Sequence, residues 1–222
     1  MEEEVKEIRS FERLGILVLD GSGSMEEPHP NGIKKFEAIS GCVKDLILGL
    51  KQHPRSPNLF LTILTYDDTV DRNPVVPITP VEEMDDTADY NPMNMNGVVR
   101  GGQTAIGDAL ELAFNVAYDF AKDPNQKYPR SCVILLMTDG INNTGKDPMQ
   151  VSQEINERIR REELTQRIRR ICALGFGVPS DKDSLDADLL RGIVSEEKDE
   201  NFKITLDSQE IVAFFTKSIT AK

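Results

Sequence analysis

Asp20-Gly21-Ser22-Gly23-Ser24 sets a carboxylate and two hydroxyls on alternate residues, with only glycine between them. Glycine accepts φ > 0 without steric cost, so Gly21 and Gly23 are expected to let the backbone turn tightly here. Three oxygens can then be aimed at one point, as a hard divalent cation requires. A carboxylate with two neutral hydroxyls suits Mg2+, with Mn2+ next, and nothing soft is present to favour zinc. Two further oxygen donors stand in comparable settings. Asp139 closes an apolar run in Met137-Thr138-Asp139-Gly140, and Thr104, in Gly101-Gly102-Gln103-Thr104, precedes an amphipathic stretch.

The elements that must position these groups can be read from hydropathy. Leu14–Leu19, Leu59–Tyr66, Cys132–Met137 and Ile171–Val178 are continuous apolar runs rich in aliphatic and β-branched residues. Runs of this kind predict strands covered on both faces, as in a mostly parallel sheet. Ile33, Phe36, Ile39, Val43, Leu46, Ile47 and Leu50 recur at helical steps, as do Ile106, Ala109, Leu110, Ala113, Ala117 and Phe120. Asp147-Pro148 reads as a cap and first turn of a third helix. Ser184 reads as the cap of a short helix through Ser195, Phe202–Leu206 as a last strand, and Ile211 to Ile219 as a terminal helix. Val75–Ile78 can only be an edge strand, because Pro74 and Pro77 exclude a central one. The expected fold is α/β, an open, mostly parallel sheet of roughly six strands with one short antiparallel edge strand and helices on both faces. Such sheets bind ligands beyond the carboxyl ends of their strands, where strand order reverses. Asp20 and Asp139 both lie at such ends.

Together these segments resemble the von Willebrand factor A (vWA) domain and its metal-ion-dependent adhesion site, written Asp-x-Ser-x-Ser, then Thr, then Asp. The matching residues are Asp20, Ser22 and Ser24, Thr104 in Gly-Gly-Gln-Thr-Ala, and Asp139 in Thr-Asp-Gly. The resemblance covers residues 12–220 as one Rossmann-like domain, with residues 1–11 as an N-terminal extension. It implies that Ser22 and Ser24 coordinate the metal directly and Thr104 directly or through water. Asp20 and Asp139 would act through water and by hydrogen-bonding the serines. Neutral hydroxyls leave much of the ion's charge uncompensated, so a partner's Asp or Glu carboxylate can take an open octahedral position. The implied function is a metal-dependent protein-binding module rather than an enzyme, in an intracellular signalling or stress-response complex. The chain is most similar to the short stand-alone prokaryotic type associated with tellurium resistance.

Composition narrows the alternatives. The 222 residues are 39% hydrophobic and 29% charged, a globular balance. A net charge of −12 opposes nucleic-acid binding. No apolar run is long enough to span a bilayer, and the acidic start Met1-Glu2-Glu3-Glu4 lacks a signal peptide's apolar segment, so a cytoplasmic location is expected. Cys42, Cys132 and Cys172 are spaced like neither metal ligands nor a disulfide framework and read as reduced core residues.

Each site residue also has a bland reading: Gly-Ser-Gly-Ser as a turn, Thr104 as a helix cap, Asp139 as an Asx-turn residue. Asp67, Asp68 and Asp71 read as a solvated acidic loop, and His29 as an exposed loop residue. The stretch from Asp85 to Gly102 shows no regular element and is expected to form a partner-recognising rim through Met93 and Met95. Arg158, Arg160, Arg161, Arg167, Arg169 and Arg170, interleaved with glutamates, read as a solvated helix with i,i+4 ion pairs. Two rival functions follow. One is a metal-assisted phosphoester hydrolase with Arg100 facing the phosphate. The other is a scaffold that docks partners on the arginine-rich helix.

Overall fold

The computed structural model describes residues 10–177, 185–195 and 198–221. Its elements run β1 (Glu12–Asp20), α1 (Lys35–Lys51), β2 (Leu59–Tyr66), β3 (Val76–Pro80), β4 (Asn94–Met95), β5 (Val98–Val99) and α2 (Ile106–Lys122). They continue with β6 (Arg130–Thr138), α3 (Pro148–Arg161), β7 (Ile168–Gly175), α4 (Ala187–Ile193), α5 (Lys198–Asn201), β8 (Phe202–Ile204) and α6 (Ser208–Thr220).

The main sheet is six-stranded in the order β3-β2-β1-β6-β7-β8. Only β3 is antiparallel, paired on β2 at the edge, where its prolines cost no ladder bonds. β1 lies between its parallel neighbours β2 and β6. From β1 the chain first builds towards β2 and β3, then crosses to β6 and builds the other way. The reversal falls between β1 and β6, so the crevice predicted for a ligand lies between Asp20 and Asp139.

The apolar runs are buried on both faces because helices cover both. Leu14, Ile16 and Val18 pack with residues of α2, α3 and α4. Leu17 and Leu19 pack with residues of α1 and α6 on the other face. The three cysteines are buried and free. No helix among the described residues is long and apolar enough to cross a membrane.

Several boundaries differ from the sequence reading. Ile33 precedes α1 and is 40% exposed, so the apolar stripe begins with Phe36. β7 runs Ile168–Gly175 rather than Ile171–Val178, since Ile168 and Arg170 already pair with β6; Val178 lies outside the described residues. Ser184 also lies outside them, and α4 is capped by Asp186, whose side chain accepts from the Leu189 amide; the helix stops at Ile193 rather than Ser195. β8 ends at Ile204 instead of Leu206. Asp147 caps α3 as read, accepting from the amides of Met149 and Gln150.

The stretch 85–102 is not structureless. β4 and β5 form a small hairpin turned at Asn96-Gly97, both at positive φ. Asn-Gly is the pair that such a two-residue turn favours. Met93 and Met95 point into the core rather than forming a rim, and Val99, 75% exposed, is the apolar residue this loop presents.

Candidate metal centre

β1 delivers Asp20 fully buried, and its two oxygens are held from different directions. The Ser22 amide donates to Oδ1 at 2.8 Å, a local turn of the Asx kind. Thr138, the last residue of β6, donates its hydroxyl to Oδ2 at 2.5 Å. Burial and the neighbouring charge of Asp139 push the Asp20 carboxyl up to about 6, against the pull of these hydrogen bonds.

Gly21 and Gly23 act differently from expectation, because neither adopts positive φ. Gly21 is required by close approach: a Cβ there would stand 2.6 Å from the Pro92 carbonyl oxygen and 2.9 Å from Arg100 Cβ. The backbone then bends into a short 3-10 turn, Gly23–Glu26. The two serine hydroxyls come 3.1 Å apart, and Ser24 Oγ donates to Asp139 Oδ1 at 2.7 Å. Ser22 is buried while Ser24 is part-exposed, so the pair opens towards solvent on the Ser24 side.

Thr104 sits at the other wall. A Cβ on Gly140 would lie 3.6 Å from Thr104 Oγ1 and 3.9 Å from Ser24 Oγ, so both hydroxyls border the same glycine. Thr104 does not cap α2: the cap position is Ala105, and the Ile106 amide is taken by Asn142 Oδ1 at 2.8 Å. Asn143 Oδ1 accepts from the Thr104 amide at 2.8 Å, and the Asn143 amide donates back to the Thr104 carbonyl at 3.1 Å. Asp139 makes no Asx turn either. Its Oδ2 accepts from Lys35 Nζ at 2.6 Å, and the Gly140 amide donates to Thr138 Oγ1 instead.

The structure therefore brings Asp20, Ser22, Ser24, Thr104 and Asp139 to one crevice at the β1/β6 reversal. The donor set is oxygen only. No cluster of three or more His, Cys, Asp or Glu side chains is placed to hold a metal among the described residues, and this centre would draw on hydroxyls instead. Thr104 Oγ1 makes no hydrogen bond among the described residues, which leaves it available to an ion. Tyr66, level with Asp20 on the adjacent strand, buries its hydroxyl without a partner there. Hard oxygens and under-satisfied hydroxyls beside buried carboxylates fit a small divalent cation.

Three residues escaped the sequence reading. Asn143 ties Thr104, and Asn142 ties Ile106 at the start of α2, to the loop that carries Asp139, and Lys35 pairs with Asp139 and Glu27. Ala105 at a helix start was one available signal, since alanine cannot cap. A lysine at the positive end of a helix was another.

Other expectations are overturned. Asp67 is not solvated: it is buried, accepts from the Gly101 and Gly102 amides, and pairs with Arg100 at 3.3 Å. Arg100 also holds Asp71 at 2.5 Å and is itself buried, so it does not face a phosphate at the site. His29 is buried as well, stacked on Phe176 at 5.5 Å with Nε2 2.9 Å from the Leu206 carbonyl. The arginine-rich segment is split. Arg158, Arg160 and Arg161 end α3, with Arg158 paired to Glu162 at 3.1 Å, whereas Arg169 and Arg170 lie on β7. Arg167 donates to the Ala121 carbonyl at 2.6 Å, tying the α3–β7 connection to the end of α2.

Comparison with known proteins agrees with this architecture. No curated protein matches the chain. Among solved structures, a von Willebrand factor type A protein from Catenulispora acidiphila aligns at a TM-score of 0.62 and 17% identity, over 95% of this chain and 43% of that one. The PilB minor pilin from Streptococcus sanguinis aligns at 0.64 and 12%, over 94% of this chain and 60% of its own. Proximal thread matrix protein 1 from the mussel byssus, solved with a zinc-occupied MIDAS motif, aligns at 0.58 and 17%, over 95% and 48%. The chain thus spans roughly half of these longer proteins, and at such identities the likeness speaks to fold. The family model for the von Willebrand factor type A domain matches residues 16–217, nearly the whole chain, and the protein belongs to that family.

Proposed function

We propose that the chain is a metal-dependent protein-binding module in which Asp20, Ser22, Ser24, Thr104 and Asp139 hold one divalent cation. The observation that carries this is Ser24 Oγ, which joins the Ser22 hydroxyl on one side to Asp139 on the other while Thr104 Oγ1 stands beside the same glycine. Side chains from three separated segments meet there, and the bland readings of Thr104 and Asp139 do not describe their bonding.

Bound Mg2+, or Mn2+ in its place, would offer a Lewis-acidic position to an anionic group. Ser22, Ser24 and Thr104 supply neutral oxygens, so the site keeps net attraction for a carboxylate. Asp20 and Asp139 orient the serines from behind. Exposed Ile141, two residues beyond Asp139, and Val99, close to the Thr104 segment in the chain, offer apolar surface on the same loops. Such surface suits a protein partner that presents an Asp or Glu side chain among apolar neighbours.

Arg100 is committed to Asp67 and Asp71, so it offers no cation to a phosphate, and Arg158, Arg167 and Arg169 make bonds within the chain. We assign the chain no catalytic role. The buried free cysteines support an intracellular setting, and the signalling or stress-response role of a prokaryotic, tellurium-resistance-like vWA protein is the context we propose.

Calorimetry with Mg2+ tests the site. Wild-type protein should bind the ion and Asp20→Ala and Asp139→Ala should not; indistinguishable titrations of all three would refute it. A pulldown with Mg2+ against one with chelator then identifies what is retained through the ion.

A further inference from the structure

Lys35 stands where a helix least favours a cation. It is the first residue of α1, facing the positive end of the helix dipole. Its side chain is only 13% exposed, and its ammonium is fixed between two carboxylates, 2.6 Å from Asp139 Oδ2 and 2.7 Å from Glu27 Oε2. Asp139 is wholly covered, and its other oxygen already accepts from Ser24. Every oxygen of the acid that would steady the ion's hydration shell is therefore engaged from within the chain.

The wider charge pattern makes this pairing meaningful. Asp20 and Asp139 are like charges buried at one crevice, and without a counter-ion each penalises the other. Lys34, its neighbour in the chain, is directed at Glu26 at 3.9 Å and is half exposed. Arg100 is held by Asp67 and Asp71. Among the described residues, Lys35 is the one cation seated on either acid of the crevice.

We propose that Lys35 is a resident counter-cation of the metal centre: it holds Asp139 in the ion-free protein and opposes loading of the divalent cation. The inference rests on the metal-binding reading given above. A divalent charge arriving beside Ser24 repels the ammonium and competes with it for Asp139. Glu27, with its side chain 61% exposed, already touches the ammonium and provides the acid on which Lys35 rests when Asp139 turns to the ion. The centre is thereby tuned to release its ion more readily than its ligand set alone would dictate, and its loading reports the divalent-ion concentration. Lys35 is a positioning residue, acting on the ion through Asp139.

The test is a Mn2+ titration of wild type, Lys35→Met, Lys35→Arg and Asp20→Ala, following free Mn2+ by its paramagnetic resonance and melting temperature with and without the ion. Removing one unit charge at this range should make Lys35→Met bind Mn2+ about tenfold more tightly. Lys35→Met should also melt lower than wild type without the ion, and saturating Mn2+ should close that gap. Lys35→Arg should follow wild type in both readouts, which a loss of simple packing would not explain. Should Lys35→Met fail to fold, Lys35→Gln carries the same expectation.

Unchanged or weaker Mn2+ binding in Lys35→Met, with wild-type binding that Asp20→Ala abolishes, overturns the role of Lys35 alone. Absence of binding in every folded version overturns the metal-binding reading and this inference together.

Discussion

β1 and β2 are adjacent parallel strands, and each hands its chain on to an aspartate at its carboxyl end: Asp20 closes β1 and Asp67 follows β2. Their surroundings could hardly differ more. Asp67 receives the Thr69 amide and hydroxyl, the amides of Gly101 and Gly102, and the guanidinium of Arg100. Burial would raise its carboxyl, but these bonds and the Arg100 charge outweigh it and hold Asp67 below the ordinary range. Asp20 receives one amide and one hydroxyl and no protein cation, and it is pushed up to about 6. A fully compensated acid braces a loop. An under-compensated one beside open hydroxyls is the setting that the proposed metal site requires.

The largest effect expected from breaking this contrast is on the braced side. Arg100→Met leaves Asp67 buried and unpaired, and chemical denaturation should show a loss of about 3–5 kcal/mol. Metal affinity, measured on the protein that remains folded, should change far less. Asp20→Asn should do the reverse, weakening Mg2+ binding by about 10- to 100-fold while leaving the metal-free protein at least as stable at neutral pH. Thr104→Val, which preserves shape and deletes one hydroxyl, should cost about tenfold in Mg2+ affinity with an unaltered melting temperature. Asn143→Ala removes the acceptor of the Thr104 amide and should lower stability by about 1 kcal/mol, measured by denaturation without metal.

The pH profile separates the two acids by sign. Asp20 holds its proton to about 6 when folded against 3.8 as its ordinary value, so the metal-free folded state binds more protons across that window. Its contribution therefore falls as pH rises from 3.8 to about 6. Asp67, held low, contributes stability above its ordinary value that is lost as pH falls through its depressed folded value. Denaturation of Asp20→Asn across the same range should lack the first slope and retain the second. In wild type, Mg2+ affinity should rise over the window in which Asp20 gives up its proton.

What the sequence disclosed follows the range of the interactions involved. The sheet and its helices were readable because apolar runs and helical periodicity report burial directly, as with Leu14–Leu19 and the stripe from Phe36 to Leu50. The grouping of Asp20, Ser22, Ser24, Thr104 and Asp139 was readable because a parallel sheet gathers strand ends at one edge. Long-range polar pairing was not. Arg100 meeting Asp67, Lys35 meeting Asp139, and His29 packing on Phe176 join residues distant in sequence, and no local pattern encodes such partners. The hairpin at Asn96-Gly97 is the exception, a local signal present in the chain that the long polar stretch around it obscured.

The two asparagines that join Thr104 and Ile106 to the β6–α3 loop carry their own consequence. Because Asn142 and Asn143 follow Asp139 on the same short loop, the start of α2 and the acid of β6 are geared to one another. These bonds run through the backbone of Thr104 and Ile106, so losing both asparagine side chains would loosen the Thr104 and Asp139 segments together, whereas trimming the Thr104 hydroxyl would leave the gearing intact.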